Sequence, residues 1–274
     1  MLSVNTNTGA MVALQYLNKT EGELQTAQTH INTGLKVATA KDDGATFAIA
    51  QNMRGNVAGY QAVSDSLNRG VSTVDVAISA GSAISDLLIE LKAKALAAAD
   101  ASLDTASRSA LNADFTALRD QITTIVSNAE FNGTNLVNGS VSTVTALASA
   151  DGTKKITVQT QNLSLSGTIL TITTTSTIST QVKASAMIST INTSIQNVNA
   201  ALAKLAAGSK KFTIQNDFVS KLVDALKQGI GNLVDADMAV ESARLQSLQV
   251  KQQLGVQALS IANTQPQIIL SLFR

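Results

Sequence analysis

The sequence contains no cysteine, no tryptophan and a single proline, Pro266. Without cysteine the chain can form no disulfide, thiolate metal site or cysteine nucleophile. With one proline, long uninterrupted elements are allowed almost everywhere. Aromatic residues make up only 3% of the chain, whereas hydrophobic residues make up 45%. The core is therefore expected to consist of leucine, isoleucine, valine and alanine, and 274 residues are enough for a sizeable one.

The chain also lacks an excess of charge of either sign, with 20 Lys+Arg against 19 Asp+Glu. Nucleic-acid binders usually carry a basic excess that neutralises phosphates, so a nucleic-acid partner is not expected. No apolar run is long enough to cross a bilayer, so membrane insertion is not expected either. The first basic residue is Lys19, whereas a secretory signal peptide begins with a basic region. Any export is therefore expected to proceed without a cleaved signal peptide.

Few residues are candidates for chemistry. The sole histidine, His30, leaves little room for a histidine metal cluster or a Ser/His relay, and we interpret it as an ordinary helix contact. Two acidic pairs, Asp42 with Asp43 and Asp235 with Asp237, could be imagined in acid/base catalysis. Both pairs lie next to predicted helix starts, where carboxylates favour the helix N-terminus. We expect no catalytic residue, no cofactor, no metal site and no enzymatic activity.

Both ends of the chain carry apolar residues spaced three and four apart, which is typical of helices in coiled coils. The N-terminal row comprises Leu14, Leu17, Glu21, Leu24, Gln28, Ile31, Leu35 and Ala38. The last helix has one row of Leu233, Ala236, Val240, Ala243, Ser247, Val250, Leu254, Gln257 and Ile261, and beside it a second row of Val234, Met238, Leu245, Leu248 and Leu259. Two rows make a face wider than one partner helix needs. Copies of the same chain are the simplest further partner.

The same spacing predicts inner helices. One runs from Phe47 to about Asp100, with a change of phase between Ile78 and Ile84, and the next follows a turn that Asp104 or Thr105 can cap. A further long helix precedes the last one. Interdomain joints are predicted at Lys41, Asp42, Asp43 and Gly44, and at Gly229, Gly231 and Asn232. In the second joint, Asn232 and Asp235 resemble a capping box.

The middle of the chain is predicted to form strands. Asn132-Gly133 and Asn138-Gly139 are residue pairs typical of tight hairpin turns. An Asp-Gly turn then precedes an alternating strand with Ile156 and Val158 on one face, and β-branched residues crowd the next segment. We therefore predict a small strand-rich insert that ends at about Thr180.

These elements predict a mainly α fold of long antiparallel helices with a small β-hairpin-rich insert. Residues 1–40 plus 233–274 are predicted to form a terminal coiled-coil domain. Residues 41–134 plus 181–232 are predicted to form a helical bundle, because the inner helices can cover one another. Residues 135–180 are the hairpin insert of that bundle, which is too short for a large outer domain.

Three segments resemble a known family. "INTGLKVATAKDDGATFAIAQNMRG" looks like the joint of bacterial flagellins, and "NAEFNGTNLVNG" resembles the end of their N-terminal helical part. "LVDADMAVESARLQSLQVKQQLGVQALSIANTQPQIILSLFR" is similar to the flagellin C-terminus over its whole length. The short chain looks most like alphaproteobacterial flagellins.

The resemblance implies a structural subunit that self-polymerises into the extracellular flagellar filament for swimming motility. In this family the terminal helices form an inner coiled-coil tube, and the inner helices and hairpins form the next shell. Export runs through the flagellar type III apparatus without signal cleavage. The implied partners are many copies of the chain, other flagellins, a flagellar export chaperone, and hook-associated and cap proteins.

We assign subunit packing to the apolar residues of the two terminal helices and of the tail. Pro266 is predicted to end the last helix and to redirect the tail onto neighbouring copies, although a tail folded onto its own chain is the alternative. The packing residues are Leu14, Leu17, Leu24, Ile31, Leu233, Val240, Val250, Leu254, Leu259, Ile261, Ile268, Leu270, Leu272 and Phe273.

Two other functions fit some of these features. A hook–filament junction protein has similar terminal helices but assembles only a short collar. A surface-active helical protein that coats membranes usually concentrates lysine and arginine on its polar faces. The terminal helices here are instead rich in glutamine, asparagine, threonine and serine, which favours packing between proteins.

Overall fold

A computed structural model describes residues 6–271, with side chains to Thr264. This part of the chain forms five α-helices and four short strands. The helices are α1 (Thr8–Thr33), α2 (Gly44–Ala98), α3 (Thr105–Asn128), α4 (Gln181–Val234) and α5 (Met238–Ser271). The strands are β1 (Glu130–Phe131), β2 (Thr134–Asn135), β3 (Thr143–Leu147) and β4 (Lys155–Gln159). The prediction of a mainly α fold with a hairpin-containing insert is confirmed.

The chain divides into two compact units. Residues 6–55 and 225–271 form one unit, and residues 56–224 form the other. The long helices α2 and α4 each contribute residues to both. These units describe packing within one chain, so the division into a tube-forming domain and a bundle domain stays a prediction.

The core of unit 56–224 is one continuous apolar cluster supplied by α2, α3, α4 and the insert. Phe115 and Ile122 from α3 are fully buried in it, as the spacing on this helix predicts. Asp104 caps α3, since its carboxylate accepts a hydrogen bond from the Ser107 backbone N–H at 3.1 Å.

The predicted change of phase in α2 is wrong. The buried row continues through Val74, Ala77, Ile84 and Leu88 without a shift, because glycines occupy two of its positions. A Cβ on Gly81 would lie 2.7 Å from Cδ2 of Leu202. There is no room for a side chain at this position, so the buried row of α2 includes Gly81. Glycine has no apolar side chain, and apolar spacing alone therefore misses it.

Two separate antiparallel hairpins lie between residues 130 and 159, the first before the predicted insert and the second inside it. β1 and β2 are joined by Asn132 and Gly133, whose φ angles of 49° and 77° suit the tight turn expected of this pair. β3 and β4 pair from Thr143 opposite Gln159 to Leu147 opposite Lys155, and Val158 is buried.

The strand expected after β4 is absent, since residues 160–180 form turns and irregular structure in the part of the chain that the structure describes. Its apolar residues are nevertheless buried, namely Leu163, Leu170, Ile172 and Ile178. Helix side chains take the place of a neighbouring strand: Asn112 Oδ1 accepts from the Ile178 N–H at 2.7 Å, and Arg119 donates to the Ser176 carbonyl at 2.8 Å. The leucines and isoleucines of this segment are therefore buried in the apolar core without pairing in a sheet, whereas most of its threonines are exposed.

The prediction that Pro266 ends the last helix is also wrong, because α5 continues to Ser271. Proline has no N–H for the carbonyl four residues earlier, which here belongs to Ala262. The side chain of Asn7 donates to that carbonyl instead, with Nδ2 2.7 Å from the oxygen. A partner from α1's end thus compensates for the lost helical hydrogen bond.

Candidate assembly surface

The helices α1 and α5 pack against each other in antiparallel fashion within the terminal unit. Each contributes a row of buried or half-buried residues with heptad spacing. Small residues allow close approach, as where Leu17 Cδ1 lies 3.2 Å from the position of a Cβ on Gly255. The facing rows are Ala10, Ala13, Leu17, Thr20, Leu24, Ala27 and Ile31 on α1, and Glu241, Leu245, Leu248, Gln252, Gly255, Leu259 and Ala262 on α5.

At one end of this seam His30 and Glu241 form a largely buried pair. His30 Nδ1 lies 3.1 Å from Glu241 Oε1, and each side chain is only 12% exposed. The Arg244 guanidinium is 4.0 Å from the same oxygen, and Oε2 is buried without a hydrogen-bond partner in the described residues. His30 is in the last turn of α1 and Glu241 in the first turn of α5, where the dipole of α5 favours the negative charge of the Glu241 carboxylate. Sequence reasoning identified His30 as a contact residue but did not find Glu241.

The ends of the terminal helices are connected by backbone hydrogen bonds. Gly34 ends α1 in the left-handed region with φ 71°, and its carbonyl accepts from the Ala236 N–H at 2.9 Å. The Lys36 N–H donates to the Val234 carbonyl at 2.8 Å, and Val37 and Val234 are buried in a small apolar cluster. Residues 34–37, which follow α1, and residues 234–236 at the end of α4 are therefore held together although they are distant in sequence.

The acidic pair of the first joint serves as caps. Asp42 accepts hydrogen bonds from the backbone N–H groups of Ala38 and Thr39, and those from Thr39 contribute most to lowering the pKa of Asp42. Asp43 accepts from the N–H of Thr46 and from its hydroxyl, and the hydroxyl contributes most to lowering the pKa of Asp43. Both carboxyls hold local backbone in place between α1 and α2, with Lys41 exposed beside them and Gly44 as the first residue of α2.

The break between α4 and α5 lies after the residues predicted for the second joint. Gly229, Gly231 and Asn232 are all inside α4, which continues to Val234. Gly229 allows a close approach rather than a break, since a Cβ there would lie 2.9 Å from Cε of Met53. The predicted capping box at Asn232 is wrong because Asp237 caps α5, accepting from the Ala239 and Val240 N–H groups at 2.9 and 3.2 Å.

A second apolar row on α5 faces away from α1. Its large members are exposed, with Val240 at 60%, Val250 at 55%, Leu254 at 57% and Ile261 at 66%. We call these four residues the outer row. The two rows expected side by side on this helix thus lie on different sides of it. On α1 the large apolar residues that are exposed, which we call the exposed group, are Met11, Val12, Leu14 and Tyr16.

The structure divides the residues assigned to subunit packing into two sets. Leu17, Leu24, Ile31 and Leu259 lie in the seam between α1 and α5, and Leu233 packs on the small cluster at the joint. Leu14 and the outer row are open to a partner. The side chains of Ile268 and Leu270, and the residues Leu272 and Phe273, lie outside the described part.

The second predicted hairpin turn has another role. Asn138 and Gly139 lie between β2 and β3, which belong to separate sheets, so the expected hairpin at this position is wrong. Asn138 Oδ1 accepts from the Ser140 N–H at 2.8 Å, and the neighbouring Val137 carbonyl accepts from Leu163 at 2.7 Å. The residues before this turn are therefore hydrogen-bonded to residues 161–163.

Among residues 6–271, no helix combines the length and hydropathy that crossing a membrane requires. The same residues contain no cluster of three or more histidine, aspartate or glutamate side chains suited to a metal ion.

Comparisons with known proteins show the family of this chain. The model of the bacterial flagellin N-terminal helical region matches residues 4–142, and that of the C-terminal helical region matches residues 188–273. Flagellin FljK of Caulobacter vibrioides is 54% identical over 99% of this chain and 98% of its own length. A flagellin of Brucella melitensis is 36% identical over the full length of both chains.

A solved structure from Vibrio parahaemolyticus, assigned as a flagellar hook-associated protein, has a TM-score of 0.57 and covers 71% of this chain and all of its own. At 14% identity it shows a shared fold alone. The alternative of a hook–filament junction protein is therefore not supported, whereas the match to flagellins extends over nearly every residue. The chain belongs to the bacterial flagellin family, whose members are the structural subunits of the flagellar filament.

Proposed function

We propose that the outer row of α5 and the exposed group on α1 pack against other copies of the chain in the inner tube of the filament. Residues 1–40 and 233–274 form this tube domain, residues 41–134 and 181–232 form the surrounding bundle, and residues 135–180 decorate it. The observation that carries the proposal is the regular exposed row on α5, with four large apolar residues each more than half exposed. Such a row is unfavourable in water and indicates a protein partner.

Other copies suit this surface better than a membrane does. Only Arg244 and Lys251 are basic between residues 238 and 264, whereas helices that lie on anionic membranes carry many lysines and arginines. The polar positions of this region are mostly glutamine and serine, which hydrogen-bond between closely packed helices without burying charge.

Other flagellins are further partners. Five flagellins of Caulobacter vibrioides are 46% to 54% identical to this chain over nearly its whole length. Chains this similar present comparable packing surfaces, so we propose that the filament can be a copolymer. An export chaperone covers the apolar rows before assembly, and hook-associated and cap proteins contact the two ends of the extracellular filament. Export proceeds without a cleaved signal peptide.

Substitution in the outer row tests the proposal. Leu254 is 57% exposed, and covering the rest of a leucine side chain contributes roughly 1 kcal/mol. Leu254→Ala should therefore raise the critical concentration for polymerisation about fivefold, and Leu254→Glu, which buries a charge, by about a hundredfold or more. The assay is sedimentation of filaments after salt-induced polymerisation of purified chain, with electron microscopy of the pellet.

Gln253→Glu is the matched control, because it adds the same charge one residue away on the polar side of α5. We expect a change below about threefold for this variant. Equal losses for Leu254→Glu and Gln253→Glu would show that charge on α5, rather than the outer row, governs assembly. Wild-type chain that forms no filaments, even from seeds, would overturn the proposal.

A further inference from the structure

One side chain contacts both terminal helices at the point where α5 contains its proline. Asn7 is the N-cap of α1, and its Oδ1 accepts a hydrogen bond from the Ala10 N–H at 3.0 Å. Its Nδ2 donates to the Ala262 carbonyl on α5 at 2.7 Å. The helices are close here, since a Cβ on Gly9 would lie 3.9 Å from Cβ of Ala262.

The Ala262 carbonyl is the one that Pro266 leaves without a helical partner. In an α-helix this oxygen accepts from the N–H four residues later, and proline at that position has none. The donor is Asn7, the N-cap of α1, which is 255 residues away in sequence. The hydrogen bond therefore joins a sequence-dictated gap in one helix to the cap of the other.

A carboxamide is suited to both tasks at once. Capping requires an acceptor oxygen, and the Ala262 carbonyl requires a donor. Asparagine supplies both from one short side chain, whereas aspartate supplies only the acceptor. The serine side chain is one atom shorter and has a single oxygen for both hydrogen bonds. The requirement for a donor exists only because residue 266 is proline.

We propose that Asn7 is a positioning residue that fixes the register of α1 against α5 and holds α5 helical across Pro266. The hydrogen bond sets where the first turn of α1 meets the last turns of α5, and so where the segment after Pro266 begins relative to the outer row. This inference rests on the proposed function, in which that segment packs against neighbouring copies.

The test is Asn7→Asp in two backgrounds, the natural chain and Pro266→Ala. Asn7→Asp keeps an equally good cap and removes the donor. Pro266→Ala restores an N–H for the Ala262 carbonyl, so the donor is no longer needed. We expect Asn7→Asp to raise the critical concentration about tenfold in the natural chain and less than about twofold in Pro266→Ala, since only the first leaves the half-buried Ala262 carbonyl without a donor.

Amide hydrogen exchange of the monomer gives a second readout that does not require assembly. Asn7→Asp should speed exchange in residues 8–14 and 255–264 by about tenfold in the natural chain and leave Pro266→Ala nearly unchanged. An equal effect of Asn7→Asp in both backgrounds, in either readout, would overturn the inference. If the wild-type chain forms no filaments the proposed function fails, and the exchange comparison still decides the role of Asn7.

Discussion

Replacing His30 by alanine should destabilise the α1–α5 pair by leaving the Glu241 carboxylate buried without its main partner. The two side chains are 3.1 Å apart and 12% exposed, and Oε2 of Glu241 already has no hydrogen-bond partner in the described residues. A carboxylate in this position depends on the His30 ring, since the Arg244 guanidinium is 4.0 Å away and about half exposed.

The magnitude follows from the geometry. Removing one member of a fully buried ion pair costs roughly 3–5 kcal/mol. Here water reaches part of the site and Arg244 can move closer, so we expect about 2 kcal/mol for His30→Ala. Glu241→Gln removes the charge but keeps the shape, and we expect about 1 kcal/mol. The double variant buries no charge, so its loss should be about 1 kcal/mol smaller than the sum of the two single losses.

The assay is the dissociation temperature of assembled filaments together with hydrogen exchange of residues 8–33 and 238–264. Exchange in the core of unit 56–224, around Leu88 and Ile191, is the internal control and should not change. Strictly additive losses in the double variant would refute an interaction between the two side chains. A loss below about 0.5 kcal/mol for His30→Ala would show that the buried carboxylate finds another partner.

Two further predictions concern the backbone of α2. Gly59→Ala should destabilise unit 56–224 by about 1–3 kcal/mol in chemical denaturation, because the new Cβ would lie 2.8 Å from the Ala150 carbonyl oxygen. Gly55→Ala, with nothing within 4 Å of the new Cβ, should stabilise the chain by about 0.5–1 kcal/mol. A more stable Gly59→Ala than Gly55→Ala variant would contradict the packing at Gly59. The lowered pKa of Asp43, caused mainly by the Thr46 hydroxyl, means that its charged form stabilises the start of α2 above the unfolded-state pKa and that this contribution is lost as the pH falls through the folded value. The Thr46 amide resonance should follow that titration, and Asp43→Asn, which keeps a capping oxygen, should abolish the pH dependence; a persistent titration would assign it to another carboxyl.

The sequence was sufficient for the helices and for their order, because apolar spacing reports directly which side of a helix is buried. It was insufficient where burial depends on a partner's shape. Gly81 belongs to the buried row of α2 only because Leu202 fills the space above it, so the row seemed to change phase. Residues 160–180 have the composition of strands, yet their hydrogen bonds go to side chains such as Asn112 and Arg119 on the helices. No local pattern contains that information.

For the candidate surface, too, apolar spacing predicted which residues are apolar and in rows but not which partner each row contacts. The outer row could be listed from spacing alone, and Leu254 and Val250 are open to a partner. Spacing could not tell that row from the one against α1, because a polar residue, Glu241, occupies the intramolecular seam. Likewise proline usually ends a helix, and the sequence around Pro266 gives no sign that α5 continues to Ser271. The hydrogen bond from Asn7 to the Ala262 carbonyl, which explains the continuation, joins residues that are far apart in sequence.

The two rows on α5 also explain why assembly is encoded in so weak a sequence signal. A helix covered on one side only has a clear apolar face and a clear polar face. α5 has apolar residues on the side facing α1 and again on the outer row, with glutamine and serine between them, so neither side dominates. On the surface of a monomer such a distribution would leave one apolar row in contact with water, which is unfavourable. It is appropriate for a helix that is covered from both sides. The polar residues limit indiscriminate association, since an imperfectly aligned copy would bury them without hydrogen bonds. We therefore propose that specific polymerisation follows from moderate apolar rows in two directions rather than from one strongly hydrophobic face.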